Sequence, residues 1–139
     1  MMLQVTREAL RAMVEHCERD YPNEACGYLA GKDGRASTAL ALTNAHASPT
    51  SYEMDPKEQL AAQKDLREKK LRHLAIYHSH VATEAYPSRR DIDRATEVQD
   101  FFDGYYVLVT LKEKRKPAAR AFRIRDGKVT EEDLKEVAA

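Results

Sequence analysis

Two histidines and an aspartate are spaced in this sequence as the ligands of a metal ion often are. His78 and His80 flank a single serine, and Ser88 and Asp91 follow after a further seven residues. In an extended strand, side chains at positions i and i+2 project from the same face, so the two imidazoles point in one direction. Two imidazoles and one carboxylate, with the fourth position left to water, form a usual catalytic zinc set. A zinc site at His78, His80 and Asp91 is therefore one interpretation of this spacing.

The same residues also have a purely structural interpretation. Ser88 and Asp91 fit the Ser-x-x-Asp form of a capping box, in which both side chains satisfy free N–H groups at the start of a helix. A His-x-His pair can equally consist of one core residue and one surface residue. The two interpretations are compatible for Ser88, but they compete for the Asp91 carboxylate. The sequence contains no His-Glu-x-x-His motif, which excludes a thermolysin-type site.

The elements that must position these residues alternate between helices and strands. The 71–77 segment is apolar and predicts a buried strand that leads into His78, and Ser88 opens a helix that runs to about Phe102. Further helices are predicted at 6–19 with Thr6 as the cap, from Asp55-Pro56 to about Lys70, and at 130–139. Further strands are predicted at 24–30, 36–43, 105–111 and 119–125, with a short extended piece at 51–54.

The composition of the chain limits the classes of function. Its 139 residues suit one domain over 1–139, and 23 basic against 23 acidic residues give no net charge. A nucleic-acid-binding protein usually has a basic excess, so this balance argues against one. No apolar run approaches the roughly 18 residues of a membrane span, and the first residues show no signal-peptide pattern. We therefore expect a cytoplasmic protein without nucleic-acid or membrane partners, whose two cysteines are free thiols.

An upstream glutamate extends the metal-site pattern to a family signature. The series Glu24, His78-Ser79-His80, Ser88 and Asp91 resembles the signature of the JAMM, or MPN-plus, metallopeptidases, and every position of that signature is filled. The resemblance covers the chain from about residue 3 to about residue 133. It implies an α/β (α+β) fold, with a single JAMM/MPN domain in which helices flank a mixed, curved β-sheet of cytidine-deaminase-like architecture.

Three stretches narrow the resemblance to the bacterial Mec-type branch of this family. They cover residues 44–50, 77–88 and 126–132. Members of this branch hydrolyse cysteine from the C-terminus of CysO, a ubiquitin-like sulfur-carrier protein. Val81 stands where many other family members have proline, so substrate details of the deubiquitinating branch are not carried over. The resemblance implies a zinc-dependent hydrolase that cuts the amide bond after the C-terminal Gly-Gly of such a carrier and releases cysteine or another amine.

The resemblance also implies a role for each residue of the signature. His78, His80 and Asp91 would bind Zn²⁺. Glu24 would act as general base toward the attacking water and then pass the proton to the leaving amine, and Ser88 would hydrogen-bond the developing oxyanion. A Gly-Gly tail can pair its backbone with a strand edge, for which the 51–54 segment is the candidate.

Three other functions would use the same residues. The first is an isopeptidase that removes a ubiquitin-like protein from lysine side chains. The second is a non-catalytic MPN scaffold, which the complete ligand set disfavours. The third is a structural zinc site closed by a fourth ligand such as Cys26, although a small buried thiol is the simpler interpretation of that residue. The remaining histidines are expected at the surface or partly packed, without metal: His16, His46 and His73.

Overall fold

Seven strands form one closed sheet in the computed structural model, which describes residues 1–138. The elements in chain order are β1 (Met2–Thr6), α1 (Arg7–Asp20), β2 (Cys26–Lys32), β3 (Arg35–Leu42), α2 (Pro56–Glu68), β4 (Arg72–His80), α3 (Arg89–Glu97), β5 (Tyr105–Thr110), β6 (Ala118–Arg125) and β7 (Lys128–Val137). Around the sheet the order is β1-β3-β2-β4-β5-β6-β7, and β7 pairs with β1. Three pairs are parallel (β1–β3, β1–β7 and β4–β5) and the others are antiparallel. The predicted mixed sheet is confirmed. The sheet curves until its first and last strands pair, so that it closes on itself.

Local signals in the sequence set where the helices begin. The Thr6 hydroxyl accepts a backbone N–H of the first turn of α1, and the Asp55 carboxylate accepts two such groups at the start of α2. Pro56 occupies the first turn of α2, where its missing N–H breaks no helical bond. Ser88 caps α3, so all three predicted caps are confirmed. None of the helices within residues 1–138 is long and apolar enough to cross a membrane.

The alternation of side chains along β4 decides which face carries the histidines. Tyr77 lies in the apolar cluster that includes Met13 of α1. Ile76 packs on the opposite side, against the cluster formed with α2. Because successive strand residues face opposite sides, His78 and His80 share the face of Ile76. The fold therefore presents both imidazoles on the α2 side of the sheet.

The helix predicted at 130–139 is wrong. Residues 128–137 form β7 instead, and Ala139 lies outside the described residues. β7 pairs on one side with β6 and on the other with β1, a strand that the sequence pattern did not predict. Val129 and Leu134 pack against the core from this strand. Pairing on both edges thus overrides the helical propensity of a Glu- and Lys-rich segment.

The α3 helix is shorter than predicted. It ends at Glu97 rather than near Phe102. After a turn over 98–101, the Phe102 ring packs on His73 with ring centroids 4.5 Å apart. Gly104 permits this return, because a Cβ there would overlap the Phe102 ring and the Leu74 carbonyl. α3 therefore ends early, and the turn that follows it places the Phe102 ring against His73.

Candidate metal centre

β4 ends at two buried histidines held on a rigid strand. His78 is 1% exposed and His80 is 6% exposed. Pairing with β2 on one side and β5 on the other fixes the backbone of this strand. Ser79, between them, points to the opposite face, where its hydroxyl accepts the Ala25 N–H at 2.8 Å. The two imidazoles are thus positioned before any ligand arrives.

Asp91 approaches the histidines from the first turn of α3. Its Oδ2 lies 3.2 Å from Nε2 of His78 and 3.1 Å from Nε2 of His80. The same oxygen accepts the Ser88 N–H at 2.9 Å, while the Ser88 hydroxyl accepts the Asp91 N–H at 3.1 Å. The capping box and the approach to the histidines therefore coexist. The predicted competition for the Asp91 carboxylate does not arise, because one oxygen serves both.

Three electron-rich atoms meet at this point. Nδ1–H of His80 donates to the Glu84 carbonyl at 2.8 Å, so in the neutral form of that ring Nε2 carries the lone pair. Nε2 of His78 lies 3.2 Å from Nε2 of His80, and the buried Nδ1 of His78 has no hydrogen-bond partner within residues 1–138. Two ring nitrogens and a carboxylate oxygen at these distances repel one another unless a cation or a proton lies between them.

The donor set fits a zinc ion. Tetrahedral zinc ligands at about 2.0–2.1 Å lie about 3.3–3.4 Å from one another. The three ligand atoms here are separated by 3.1 to 3.2 Å, close to that value. Within residues 1–138, the group that could hold a metal consists of His78, His80 and Asp91, and the buried Cys26 thiol does not belong to it. Three protein ligands leave a fourth position for water or substrate, as in catalytic rather than structural zinc sites.

The charges in the cluster suit metal binding. Burial opposes ionisation of Asp91, but hydrogen bonds with His78 and His80 outweigh it and hold the pKa of Asp91 well below its usual range. Burial lowers the pKa of His78. Burial also acts to lower the pKa of His80, yet the hydrogen bonds with Asp91 and with the Glu84 carbonyl raise it overall. An ionised carboxylate and a neutral His78 thus face the centre near neutral pH, as metal ligation requires, whereas the raised pKa of His80 means that a metal competes with a proton for that ring.

Glu24 lies just before β2, within electrostatic reach of the cluster. Glu24 as a residue is only 6% exposed. Burial raises the pKa of Glu24 to about 7; the charge of His80 opposes this effect, and that of Asp91 adds to it. A carboxyl group that titrates near neutral pH can both accept and return a proton under those conditions. Glu24 therefore has the environment of a proton carrier.

Asn44 ties Glu24 to a flap that we define as residues 44–54. Its Nδ2 donates to the carbonyl of Glu24 at 3.0 Å and to the carbonyl of Ser51 at 2.9 Å. Its Oδ1 accepts the N–H groups of two flap residues, both at 3.0 Å: His46 and Glu53. Because the amide is buried and fully bonded, it holds the flap and the Glu24 backbone together.

The flap places Tyr52 over the metal cluster. The Tyr52 ring stacks on His78, with centroids 4.5 Å apart and the planes 28° from parallel. The Arg94 guanidinium lies 5.0 Å from the centroid of the Tyr52 ring and also donates to the Tyr52 carbonyl. The backbone N–H and C=O of Glu53 are bonded to Asn44 and Ala45, so the candidate edge at 51–54 is largely engaged within the chain. The sequence analysis placed Tyr52 within this candidate edge but did not predict its stacking on His78, and it missed Arg94 altogether.

Two cavities are lined by residues that adjoin this centre, one by Glu24 and the other by Tyr52. The Glu24 cavity, of about 400 Å³, lies between the end of α1 and the end of β3. Its polar lining includes Arg19, Asp20, Asn23, Glu24 and Asn44. The Tyr52 groove, of about 780 Å³, lies between α2 and α3. Its lining includes Tyr28, Tyr52, His73, Arg94, Phe102 and Tyr106.

The other histidines do not join the metal cluster. His16 is buried rather than partly packed or at the surface, and its Nδ1 lies 2.6 Å from the Tyr77 hydroxyl. Its Nε2 lies 3.0 Å from a carboxylate oxygen of Asp20. His73 packs between aromatic rings in the Tyr52 groove, and His46 is exposed. His16 thus links α1 to β4, the strand that carries His78 and His80.

Known proteins share both the sequence and the shape of this chain. Residues 6–125 match the family described as prokaryotic homologs of the JAB domain. The CysO-cysteine peptidase of Mycobacterium tuberculosis is 44% identical over 135 residues, which cover 96% of this chain and 90% of that protein. A probable TtuB-protein conjugate cleaving protease of Thermus thermophilus is 41% identical over 96 residues, covering 68% of this chain and 64% of that protein. The solution structure of a protein from Desulfitobacterium hafniense has a TM-score of 0.87 at 35% identity, covering 100% of this chain and 94% of that one.

Proposed function

The chain belongs to the family of prokaryotic JAB-domain homologs, and on this premise we propose that it is a zinc-dependent hydrolase of ubiquitin-like sulfur carriers. It would cleave the amide bond after the C-terminal Gly-Gly of the carrier and release cysteine or another amine. The observation that carries this proposal is the meeting of His78, His80 and Asp91 at 3.1 to 3.2 Å, on a site that Glu24 adjoins. The similarity to a CysO-cysteine peptidase supports the class of substrate.

Each residue of the centre has a distinct task in this reaction. Zinc, when bound by His78, His80 and Asp91, supplies a Lewis acid that polarises the scissile carbonyl and makes water a better nucleophile. Glu24 takes the proton from the attacking water and passes it to the leaving nitrogen, for which a pKa of about 7 is suited. The Ser88 hydroxyl accepts the Asp91 N–H, so its own proton stays available for the developing oxyanion.

The shape of the carrier tail and the state of the two cysteines both agree with this reaction. A Gly-Gly tail has no side chains, so it can thread a narrow passage beside Tyr52 to reach the metal ligands. Cys17 and Cys26 are both buried free thiols, which suits a reducing cytoplasm. Burial raises the pKa of each thiol to about 12, so neither would compete with water as a nucleophile.

The proposal is tested by zinc content and cleavage together. We expect one zinc ion per purified chain by elemental mass spectrometry, and release of cysteine from a CysO–cysteine adduct. The Glu24→Gln variant is the matched control, because it keeps the three metal ligands and loses the proton carrier. Stoichiometric zinc without cleavage of any carrier adduct by the unmodified protein would contradict the proposal.

A second candidate function is an isopeptidase that removes a ubiquitin-like protein from lysine side chains. It is favoured by the similarity to a protein whose name refers to cleavage of TtuB-protein conjugates. The same residues would catalyse both reactions, so rates on the two linkages must be compared directly. A higher kcat/KM for carrier–lysine conjugates than for carrier–cysteine adducts would favour the isopeptidase.

A further inference from the structure

Glu24 lies beyond the end of the ladder that pairs β2 with β4. The last pair of that ladder joins Cys26 to His78, and Glu24 precedes Cys26 by two residues. Strand pairing therefore fixes the end of β4 that carries the histidines, but it does not reach the backbone of Glu24. The Glu24 side chain can keep a constant distance from the histidines only if other bonds hold the chain that leads into β2.

The peptide unit that joins Glu24 to Ala25 has both of its polar atoms bonded to side chains. Its carbonyl oxygen accepts the Nδ2–H of Asn44 at 3.0 Å, and its N–H donates to Oγ of Ser79 at 2.8 Å. On the other side of the Glu24 Cα, the Glu24 N–H donates to the Ser48 carbonyl at 2.8 Å. Because a peptide unit is planar, these bonds fix the backbone on both sides of Glu24 and the direction in which its side chain leaves.

Ser79 links this peptide unit to the strand of the histidines. It lies between His78 and His80, and its side chain points to the opposite face of β4. Its own N–H donates to the Ala25 carbonyl at 3.1 Å, so Ser79 bonds to Ala25 in both directions. Both residues are fully buried, and loss of the hydroxyl would leave the Ala25 N–H without a partner in a place that water does not reach. Asn44 thus holds Glu24 to the flap, whereas Ser79 holds it to the two histidines.

We propose that Ser79 is a positioning residue, whose hydroxyl holds Glu24 at the distance from the two histidines that proton transfer requires. This role rests on the proposed function, in which Glu24 carries the proton of the attacking water. The Ser79 side chain lies on the face away from the imidazoles, so it touches neither the metal nor the substrate and acts through Glu24. Its removal should therefore lower kcat and leave the affinity for zinc unchanged.

Kinetics of the zinc-loaded protein with a CysO–cysteine adduct test this role. We expect Ser79→Ala to lower kcat by about 10–100-fold, the cost of a small displacement of a reacting group, with KM and zinc affinity unchanged. Ser79→Thr keeps the hydroxyl and should recover most of kcat. In the Glu24→Gln background, Ser79→Ala should lower kcat no further, because Ser79 acts through the Glu24 carboxylate. If Ser79→Ala does not fold, Ser79→Cys provides the same comparison, since a thiol is a weaker acceptor.

Thr6→Ala is the matched control for loss of a buried hydroxyl. Thr6 is 3% exposed, and its hydroxyl accepts the Ala9 N–H at 3.2 Å, at the start of α1. This variant loses the same kind of hydrogen bond as Ser79→Ala does, so it should also lower the stability of the fold. It should not lower kcat, because Thr6 has no bond to the backbone of Glu24.

A titration of Glu24 in the metal-free protein separates failure of this inference from failure of the proposed function. Carbon-13 NMR of glutamate side-chain carboxyl groups follows Glu24, with Glu24→Gln to assign its signal. The pKa of Glu24, about 7 in the unmodified protein because the residue is buried, should fall toward 4.5 in Ser79→Ala and stay near 7 in Ser79→Thr and Thr6→Ala. An unchanged Glu24 pKa in Ser79→Ala, a loss of zinc affinity that parallels the loss of kcat, or additive effects in the double variant would overturn the inference. Absence of cleavage by the unmodified protein, together with the expected fall of the Glu24 pKa in Ser79→Ala, would instead reject the proposed function and retain Ser79 as the residue that holds Glu24.

Discussion

Replacement of Glu24 by glutamine should stabilise the metal-free protein above neutral pH. Glutamine is similar in size to glutamate and uncharged, so it keeps the packing of a residue that is 6% exposed and removes its ionisation. The backbone bonds of Glu24 to Ser48 and Asn44 do not depend on its side chain. Any pH-dependent change in the free energy of unfolding therefore reports the carboxyl group itself.

The sign and the size of the effect follow from the pKa of Glu24. Burial raises this pKa from 4.5 to about 7. Between these values the folded protein keeps a proton that the unfolded chain releases, so the stability due to this group falls as the pH rises and the loss is complete above about pH 7. A pKa change of one corresponds to about 1.4 kcal/mol, which gives an upper bound of about 3 kcal/mol. Glu24 lines a cavity that is open to solvent, and screening there reduces the effect, so we expect about 1–2 kcal/mol.

Urea unfolding in EDTA measures this difference. The chain has no tryptophan, so far-UV circular dichroism is the suitable probe, followed from about pH 4 to about pH 8.5. Glu24→Gln should match the unmodified protein at the acid end and exceed it by about 1–2 kcal/mol at the alkaline end. Glu15→Gln, an exposed change on α1, should stay within about 0.5 kcal/mol throughout. A difference between Glu24→Gln and the unmodified protein that is constant with pH, or greatest near pH 4, would refute the reasoning.

Three further changes separate stability, metal binding and catalysis. Ser88→Ala should lower the free energy of unfolding by about 1 kcal/mol, because α3 loses its cap, and it should lower kcat by about 10²–10³-fold. Ser88→Asp, measured by the same unfolding and cleavage assays, should recover the stability but not the activity. Asp91→Asn should lose stoichiometric zinc by elemental mass spectrometry, and retention of tightly bound zinc would contradict the assigned ligand set. Tyr52→Ala should weaken zinc binding by about 10–100-fold in competition with a chelator, because the Tyr52 ring orients His78. Tyr52→Phe should bind zinc as tightly as the unmodified protein does. Equal zinc affinities of the unmodified protein and both variants would remove Tyr52 from the site.

Features that depend on neighbours in the chain could be predicted from the sequence. The Ser88 cap is completed by a residue three positions later, and the turn at Asp126-Gly127 needs only two residues with positive φ, here 52° and 76°. The family is confirmed by the match over residues 6–125, and the mixed sheet is confirmed by its strand pairing. The Asp126-Gly127 turn accounts for the start of β7, where residues 128–132 pair back with β6, but not for residues 133–137, which pair with β1, more than a hundred residues earlier.

The distinction between local and distant interactions also explains which parts of the candidate site the sequence indicates. His78, His80 and Asp91 have side chains that bind metals, at a spacing that few other requirements produce, so their residue types and positions indicate the site. The roles of these three residues as zinc ligands, and of Glu24 and Ser88 in catalysis, remain predictions, although the structure gives each residue a suitable environment.

Asn44 and Tyr52 support the centre through contacts that no spacing rule describes. An asparagine in a loop is ordinarily a turn residue, and a tyrosine ordinarily packs in a core. Here one amide bonds to the carbonyl of Glu24 and to three groups of the flap, and that flap holds the Tyr52 ring against His78. The position of Glu24, the proposed proton carrier, is thereby coupled to the orientation of His78, a proposed metal ligand. A chain could contain the full family signature and still misplace Glu24 if this amide were absent, because the signature specifies the reacting groups and not the hydrogen bonds that hold them.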